Sequence, residues 1–309
     1  MATTTSITTT YAGEFAGQYI SAALLSANTI DQGGILVKPN VKYKEVIKTL
    51  DTDAIVKNAT CDFSDTSTVT LAERILQPEE FQVNLELCKA DFRSDWEAVQ
   101  MGFSSFDNLP PKFSDFLLAH VAAKVAQKTE NNIWGGVTAN VGEFDGFTTL
   151  AAADADVIDV TGTAVTAANV ITELGKIVDA VPSTLYGRED MNIYISQNMA
   201  RAYVRALGGF GANGLGGSGT AAQGTQWFNG GDLNFDGVKL FVANGLGDNK
   251  AMATYKDNLM FGTGLLSDSQ EVKILDMSDL DGSQNVRVVM RFTAAVQYGI
   301  GSDIVYYTA

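Results

Sequence analysis

The sequence predicts an α+β fold, and three observations support that prediction. One long helix is expected over residues 112–134, where apolar side chains recur at three- and four-residue steps. Residues 68–71 and 81–87 alternate with a period of two, which is typical of β-strands. Helix and strand patterns then alternate over residues 163–207, as expected for a compact α+β unit.

The first fifty residues carry little apolar surface of their own. Residues 1–10 form a polar tract rich in Thr, which cannot bury itself. Residues 11–27 suggest a short helix among small side chains. Residues 35–50 suggest a strand-like piece followed by a helical turn. So long an opening without a core is unusual in a self-contained domain.

Residues 55–92 are expected to contain an extended antiparallel hairpin. Its strands would be residues 68–71 and 81–87, with Gln77-Pro78-Glu79-Glu80 between them. Because a two-stranded ribbon alone is barely stable in water, this hairpin needs another surface on which to lie.

The long helix is marked at both of its ends. Pro110 and Pro111 suit a helix entry, and Gly135-Gly136 suits a left-handed stop. At about 1.5 Å per residue, such a helix would be roughly 33 Å long, which is enough to span a domain. Later in the chain, a glycine-rich loop is expected over residues 207–219, and closing strands over residues 233–307.

Composition excludes several classes of protein. The 309 residues are 46% hydrophobic and 18% charged, which is typical of a globular chain. The net charge of −15 argues against a protein that grips nucleic acid by neutralising phosphates. Cys61 and Cys88 lie far apart without a neighbouring His, so neither a zinc site nor a disulfide framework is indicated. Without a signal peptide or ~18 consecutive apolar residues, we expect a cytosolic chain that does not enter a membrane.

No residue pattern points to catalysis. His120 is the single histidine, and a histidine at the edge of a helical apolar stripe is usually structural. Residues 209–214 match G-x-G-x-x-G but follow a helix instead of a strand, so a flexible loop is expected there. Asp276, Asp279 and Asp281 miss the spacing of a calcium loop. We therefore expect no enzyme, and we assign no catalytic, cofactor-binding or metal-binding residue.

The order of these elements resembles the major capsid proteins of tailed phages, of the Hong Kong 97 type. The resemblance is strongest at Phe116–Gly136 (FLLAHVAAKVAQKTENNIWGG), followed by Gly142-Glu-Phe-Asp-Gly146. In that family an Ala-rich spine helix ends in an acidic/amide pair and an apolar-x-Gly, before a Gly-containing turn. Residues 164–182 with 191–207, and the closing strands of residues 259–305, are similar to further parts of the family's fold.

The resemblance implies a division of the chain into four parts. They are an N-terminal arm (residues 1–50), an extended hairpin loop (51–92), a peripheral domain (93–150 and 259–309, with its spine helix at 112–134) and an axial domain (151–258). It also implies that many copies assemble, as hexamers and pentamers, into an icosahedral phage head. The arm and the hairpin would bury their surfaces on adjacent copies.

The resemblance further implies partners and a location. The shell would enclose double-stranded DNA without reading its sequence, would connect to a portal, and would belong to the virion after assembly in the host cytoplasm. Some members crosslink subunits through a loop lysine, but no lysine lies between Lys57 and Lys89, so no such bond is expected. The short Thr-rich start predicts an uncut N-terminus and a separate scaffolding protein.

Two alternatives remain open at this point. An encapsulin-like compartment would share the fold and would enclose protein cargo instead of DNA. A secreted or surface-layer binding module is suggested by the content of Thr, Gly and Asp, although no signal peptide supports it.

Overall fold

The computed structural model describes residues 28–52, 55–59, 61, 65, 68–88, 111–207, 233–264, 272–278 and 282–309. Its helices are α1 (Asn28–Asp31), α2 (Pro111–Gly135), α3 (Phe147–Ala153), α4 (Val170–Ala180) and α5 (Gln197–Leu207), with a 3-10 turn at Lys256–Asn258. Its strands are β1 (Leu36–Lys38), β2 (Glu45–Thr52), β3 (Val69–Leu76), β4 (Glu79–Cys88), β5 (Ile158–Thr161), β6 (Met191–Ile195), β7 (Leu233–Phe235), β8 (Val238–Val242), β9 (Lys250–Tyr255), β10 (Leu259–Gly262), β11 (Val272–Asp276), β12 (Asn285–Tyr298) and β13 (Val305–Thr308). The predicted α+β class is confirmed.

A six-stranded mixed sheet lies under two of the helices. Its strand order is β5-β13-β9-β6-β8-β7. In α4, buried side chains recur at Val170, Leu174 and Ile177, and this stripe packs on the sheet. The helix pattern begins earlier in the sequence than the helix itself, because residues 166–169 form a turn before α4.

A second sheet is built around the long strand β12. Its order is β1-β10-β12-β11, and β4 pairs with the other edge of β12. The end of α2 joins this sheet to the first one. Trp134 is fully buried there, with its ring centroid 5.6 Å from that of Phe147 and 5.2 Å from that of Tyr194. Phe261 of β10 and Tyr298 of β12 lie in the same buried cluster, so this cluster connects the long helix to both sheets.

The long helix is observed almost where the sequence predicts it. It spans Pro111–Gly135, against a predicted 112–134. Its last hydrogen bond runs from the Gly136 N–H to Asn132 O at 3.1 Å, and neither Gly135 nor Gly136 adopts the predicted left-handed backbone. A Cβ on Gly136 would lie 2.2 Å from Phe144 O, so only glycine fits this close approach.

The predicted hairpin between residues 68–71 and 81–87 is wrong in its pairing. β3 pairs with β2 in an antiparallel register from Val69 opposite Thr52 to Leu76 opposite Glu45. β4 pairs with β12 instead. The physical reason is packing: Phe81 on β4 lies among aromatic rings of the body, 5.6 Å from the ring centroid of Phe292. Residues 45–50, which the sequence suggests as a helical turn, form a strand.

Candidate functional site

The two-stranded ribbon of β2 and β3 has two faces of different character. Directly opposite residues of an antiparallel pair point to the same side. One side therefore carries five large apolar residues, which we call the apolar face: Val46, Leu50, Val69, Leu71 and Ile75. A cross-strand pair of opposite charge, Lys48 opposite Glu73, lies among them.

The apolar face is open to solvent. Leu50 is 66% exposed and Leu71 is 72% exposed, and the two lie directly opposite each other. Val69 is 58% exposed, and the two apolar residues nearest the body are each more than two-fifths exposed. Single exposed apolar residues are common on soluble proteins, but a contiguous patch marks an interaction surface.

The other side of the ribbon is anchored in the subunit at its base. Ile47 and Leu76 are buried there, in a cluster with Val41 and Ala295. Gly262 makes room for this anchor, because a Cβ at that position would lie 2.8 Å from Leu76 Cδ2. Apolar side chains of the ribbon are thus buried at its base, whereas Leu50 and Leu71, further from the base, are exposed.

A polar contact reinforces the base. Arg74 Nη2 donates to Asp154 Oδ2 at 2.5 Å, and its guanidinium carbon lies 4.5 Å from the centre of the Tyr298 ring. Tyr298 OH donates to the same carboxylate oxygen at 2.7 Å. Burial of Asp154 opposes ionisation, but hydrogen bonds from a backbone amide, Tyr298 and Arg74 outweigh it. The pKa of Asp154 therefore lies below its ordinary value of 3.8.

The structure does not bring the chemically interesting residues of the sequence together. His120 is half-buried on α2, and Cys61 and Cys88 are both free thiols. Asp276 accepts hydrogen bonds from the amide and hydroxyl of Ser278, so its carboxylate holds a local turn. Residues 209–214, together with Asp279 and Asp281, lie outside the described residues.

Neither a metal centre nor a membrane span is found in the described part of the chain. No group of three His, Cys, Asp or Glu side chains there could hold a metal ion. Among the helices of the same residues, none has the length and apolar character that crossing a bilayer requires. These findings concern the described residues alone.

A cleft of about 950 Å³ lies beside α5. Its described lining is charged and amide-rich, with Arg201, Arg205, Lys239 and Lys256 alongside Glu189 and Asp190. The described lining contains no Ser, Thr, Cys, His or Tyr, so none of the usual hydroxyl, thiol or imidazole groups of a hydrolase lies there.

The sequence pattern missed two of the five residues of the apolar face. Val46 and Leu50 lie in the segment interpreted as a helical turn, yet Val46, Lys48, Leu50 and Thr52 share one side of a strand. The signal that could have found them is the content of β-branched residues, since Val46, Ile47, Thr49 and Thr52 favour a strand. Apolar and polar residues do not alternate there, because Lys48 lies on the side of Val46 and Leu50 while Ile47 lies on the other side.

Comparison with known proteins identifies the fold. No family model matches the sequence, and no curated protein matches it. Several solved structures do match. The capsid of a native GTA particle is 15% identical, with a TM-score of 0.63 over 94% of this chain and 93% of that chain.

Two phage structures match over similar lengths. The capsid of Myoviridae phage XM1 is 11% identical, with a TM-score of 0.59 over 95% of each chain. The structure described as Mycobacterium phage Adephagia is 16% identical, with a TM-score of 0.56 over 98% of this chain and 94% of that chain. Several of the matching structures are described as capsids. The chain has the α+β fold of tailed-phage major capsid proteins.

Proposed function

We propose that this chain is the major capsid protein of a tailed phage, many copies of which assemble into an icosahedral head around double-stranded DNA. The observation that supports this function best is the apolar face of the ribbon. It leaves Leu50 and Leu71 largely in water within one subunit. Identical neighbours would remove that surface from water, and the burial of apolar area is the main driving force of association.

The geometry of the ribbon suits a contact between copies. Eight residues per strand, at about 3.3 Å each, let the ribbon reach roughly 26 Å from its base. The base is held by Leu76 in a core and by Arg74 on Asp154. Because its base is fixed, the ribbon loses less conformational freedom on docking than a free segment would. More of the free energy of burying apolar surface therefore contributes to affinity.

The division of the subunit follows the same proposal. Residues 1–50 would be the N-terminal arm and residues 51–92 the extended loop. The ribbon crosses that boundary, because β2 begins at Glu45 and β3 ends at Leu76. Residues 93–150 with 259–309 would form the peripheral domain, and residues 151–258 the axial domain. The capsomers would be hexamers and pentamers.

The proposed partners and location follow from a DNA-filled shell. A net charge of −15 is consistent with a shell that encloses DNA without binding it tightly, because a negatively charged protein repels the phosphates. A separate scaffolding protein and a portal would complete assembly in the host cytoplasm, and the finished protein would belong to the virion. The absence of lysine between Lys57 and Lys89 predicts shells without a covalent crosslink from the loop.

Electron microscopy of the expressed chain tests the proposal. We expect rings, shells or tubes of repeated subunits from the chain alone, and closed heads containing DNA from infected cells. A chain that stays monomeric at high concentration, with the apolar face protected from protease, would contradict the proposal. Shells that contain a protein cargo and no DNA would show the encapsulin-like alternative instead.

A further inference from the structure

One acidic residue in the body of the subunit is buried among neutral partners. Glu130 of α2 is 0% exposed. Its carboxylate accepts hydrogen bonds from Thr29 N, at 3.2 Å, from the Thr29 hydroxyl, and from Gly245 N at 3.4 Å. Burying a carboxylate is costly unless its charge is matched, and these hydrogen bonds match it only in part.

The direction of the hydrogen bonds around Thr29 is fixed by Trp134. The indole N–H of Trp134 can only donate, and it lies 2.9 Å from Thr29 Oγ1. The Thr29 hydroxyl therefore accepts a hydrogen bond from Trp134 and donates one to the Glu130 carboxylate. Every hydrogen bond to the carboxylate is donated to it, which favours the ionised form. Its burial favours the neutral form.

Three separate parts of the chain meet at this carboxylate. They are α2, the segment that starts at Asn28, and the loop that follows β8. Asn28 Nδ2 donates to Val242 O at 2.5 Å, and Asn244 N donates to Asn28 Oδ1 at 3.2 Å. A Cβ on Gly245 would lie 2.2 Å from Glu130 O, so the loop backbone rests on the helix backbone. We call this meeting point the Glu130 joint.

We propose that the Glu130 joint is a proton-linked hinge, which holds the segment that starts at Asn28 against the long helix more tightly in acid than at neutral or alkaline pH. The proposal does not depend on shell formation. The groups that hydrogen-bond to Glu130 are a hydroxyl and backbone amides, which do not titrate between pH 4 and 8. The described charged side chains of the three adjoining elements, other than Glu130, are Asp31, Lys124, Lys128 and Asp248. All four are exposed, and Lys128 pairs with Glu143.

The sign follows from proton linkage. Burial raises the pKa of Glu130 above its ordinary 4.5, and the hydrogen bonds from Thr29 and Gly245 lower it by less. An open joint lets water reach the carboxyl and restores the ordinary pKa. The closed joint therefore binds a proton more tightly than the open one. Its closure is strongest below pH 4.5 and weakens as the pH rises through the pKa of the closed state.

Hydrogen–deuterium exchange of the unmodified chain between pH 4 and 8 tests the hinge. The amides of Thr29 and Gly245 report on it directly, after correction for the intrinsic exchange rate. In the unmodified chain we expect their protection to fall by up to tenfold per pH unit over part of this range. In Glu130→Gln the slope should vanish. In Glu173→Gln it should persist, because the pKa of Glu173 is about 2 and that carboxyl stays ionised throughout.

A second variant, Thr29→Val, tests the proposal even if Glu130→Gln does not fold. Thr29→Val keeps the shape of the side chain but removes the hydroxyl that donates to the carboxylate, so the sloping region should move to higher pH. Protection that is independent of pH in the unmodified chain would overturn the proposal. So would a slope that survives in a folded Glu130→Gln variant, or a Thr29→Val variant whose slope does not move.

Discussion

Leu50 and Leu71 lie directly opposite each other across the ribbon, and both side chains are mostly in water. Five residues further along β3, Leu76 points to the opposite side and is fully buried. One strand thus passes from a core of its own subunit to a surface that the subunit leaves uncovered. This contrast leads to predictions about stability that are separate from predictions about assembly.

Leu76→Ala and Leu71→Ala should have very different effects on the unassembled subunit. Leu76→Ala empties a fully buried site and should lower the free energy of unfolding by about 2–5 kcal/mol. Leu71→Ala changes a side chain that is 72% exposed and should cost less than about 0.5 kcal/mol. Chemical denaturation of both variants measures the difference. Equal costs would mean that Leu71 is covered within its own subunit.

Arg74→Met should loosen the base of the ribbon. It leaves the half-buried Asp154 without its cation and removes the stack on Tyr298. Hydrogen bonds to charged groups contribute roughly 1.5–3 kcal/mol, so we expect a loss of about 2 kcal/mol. Lys38→Met breaks a more exposed pair with Glu45 and should cost under about 1 kcal/mol.

The measurement for this pair of variants is thermal unfolding, together with protease cleavage within residues 53–68. Arg74→Met should be cleaved faster than the unmodified chain, and Lys38→Met at nearly the unmodified rate. An Arg74→Met variant that is cleaved no faster than the unmodified chain would show that Asp154 does not hold the ribbon.

Glu173 should make stability depend on pH in the opposite sense to Glu130. Burial opposes its ionisation, but hydrogen bonds from Lys176, Tyr307 and Thr163 lower its pKa from 4.5 to about 2. A lowered pKa stabilises the fold above pH 4.5, and that contribution is lost as the pH falls toward 2.

Glu173→Gln should therefore be less stable than the unmodified chain at pH 7 and should approach it in stability near pH 2. Denaturation curves at several pH values test this, with Asp159→Asn, which changes an exposed carboxylate, as the control. A constant stability difference across the range would contradict the assigned role of Glu173.

The sequence predicts best those elements that local signals define. The long helix has proline at its entry, glycine at its end and a regular apolar stripe, and its observed bounds differ from the predicted ones by one residue at each end. The strand Met191–Ile195 and the helix after it are likewise confirmed. In each case the residues that decide the structure are neighbours in the chain.

The sequence predicts poorly which strands pair. Gln77 and Pro78 correctly predict a turn between β3 and β4, yet these two strands do not pair with each other. The partner of β4 is β12, which begins almost two hundred residues later, and local alternation cannot specify a contact at that distance. Glu130 was missed for the same reason. Its partners Thr29 and Gly245 lie 101 and 115 residues away, and nothing near a helical glutamate shows that it is buried.

Assembly of the Leu50→Ser/Leu71→Ser double variant is the most direct test of the proposed shell. Sedimentation and electron microscopy would compare it with the unmodified chain and with Ile171→Ser, which changes an exposed apolar residue on α4. We expect shells or capsomers from the unmodified chain and from Ile171→Ser, and folded, unassembled subunits from the double variant. A double variant that assembles as well as the unmodified chain would contradict the role of the ribbon.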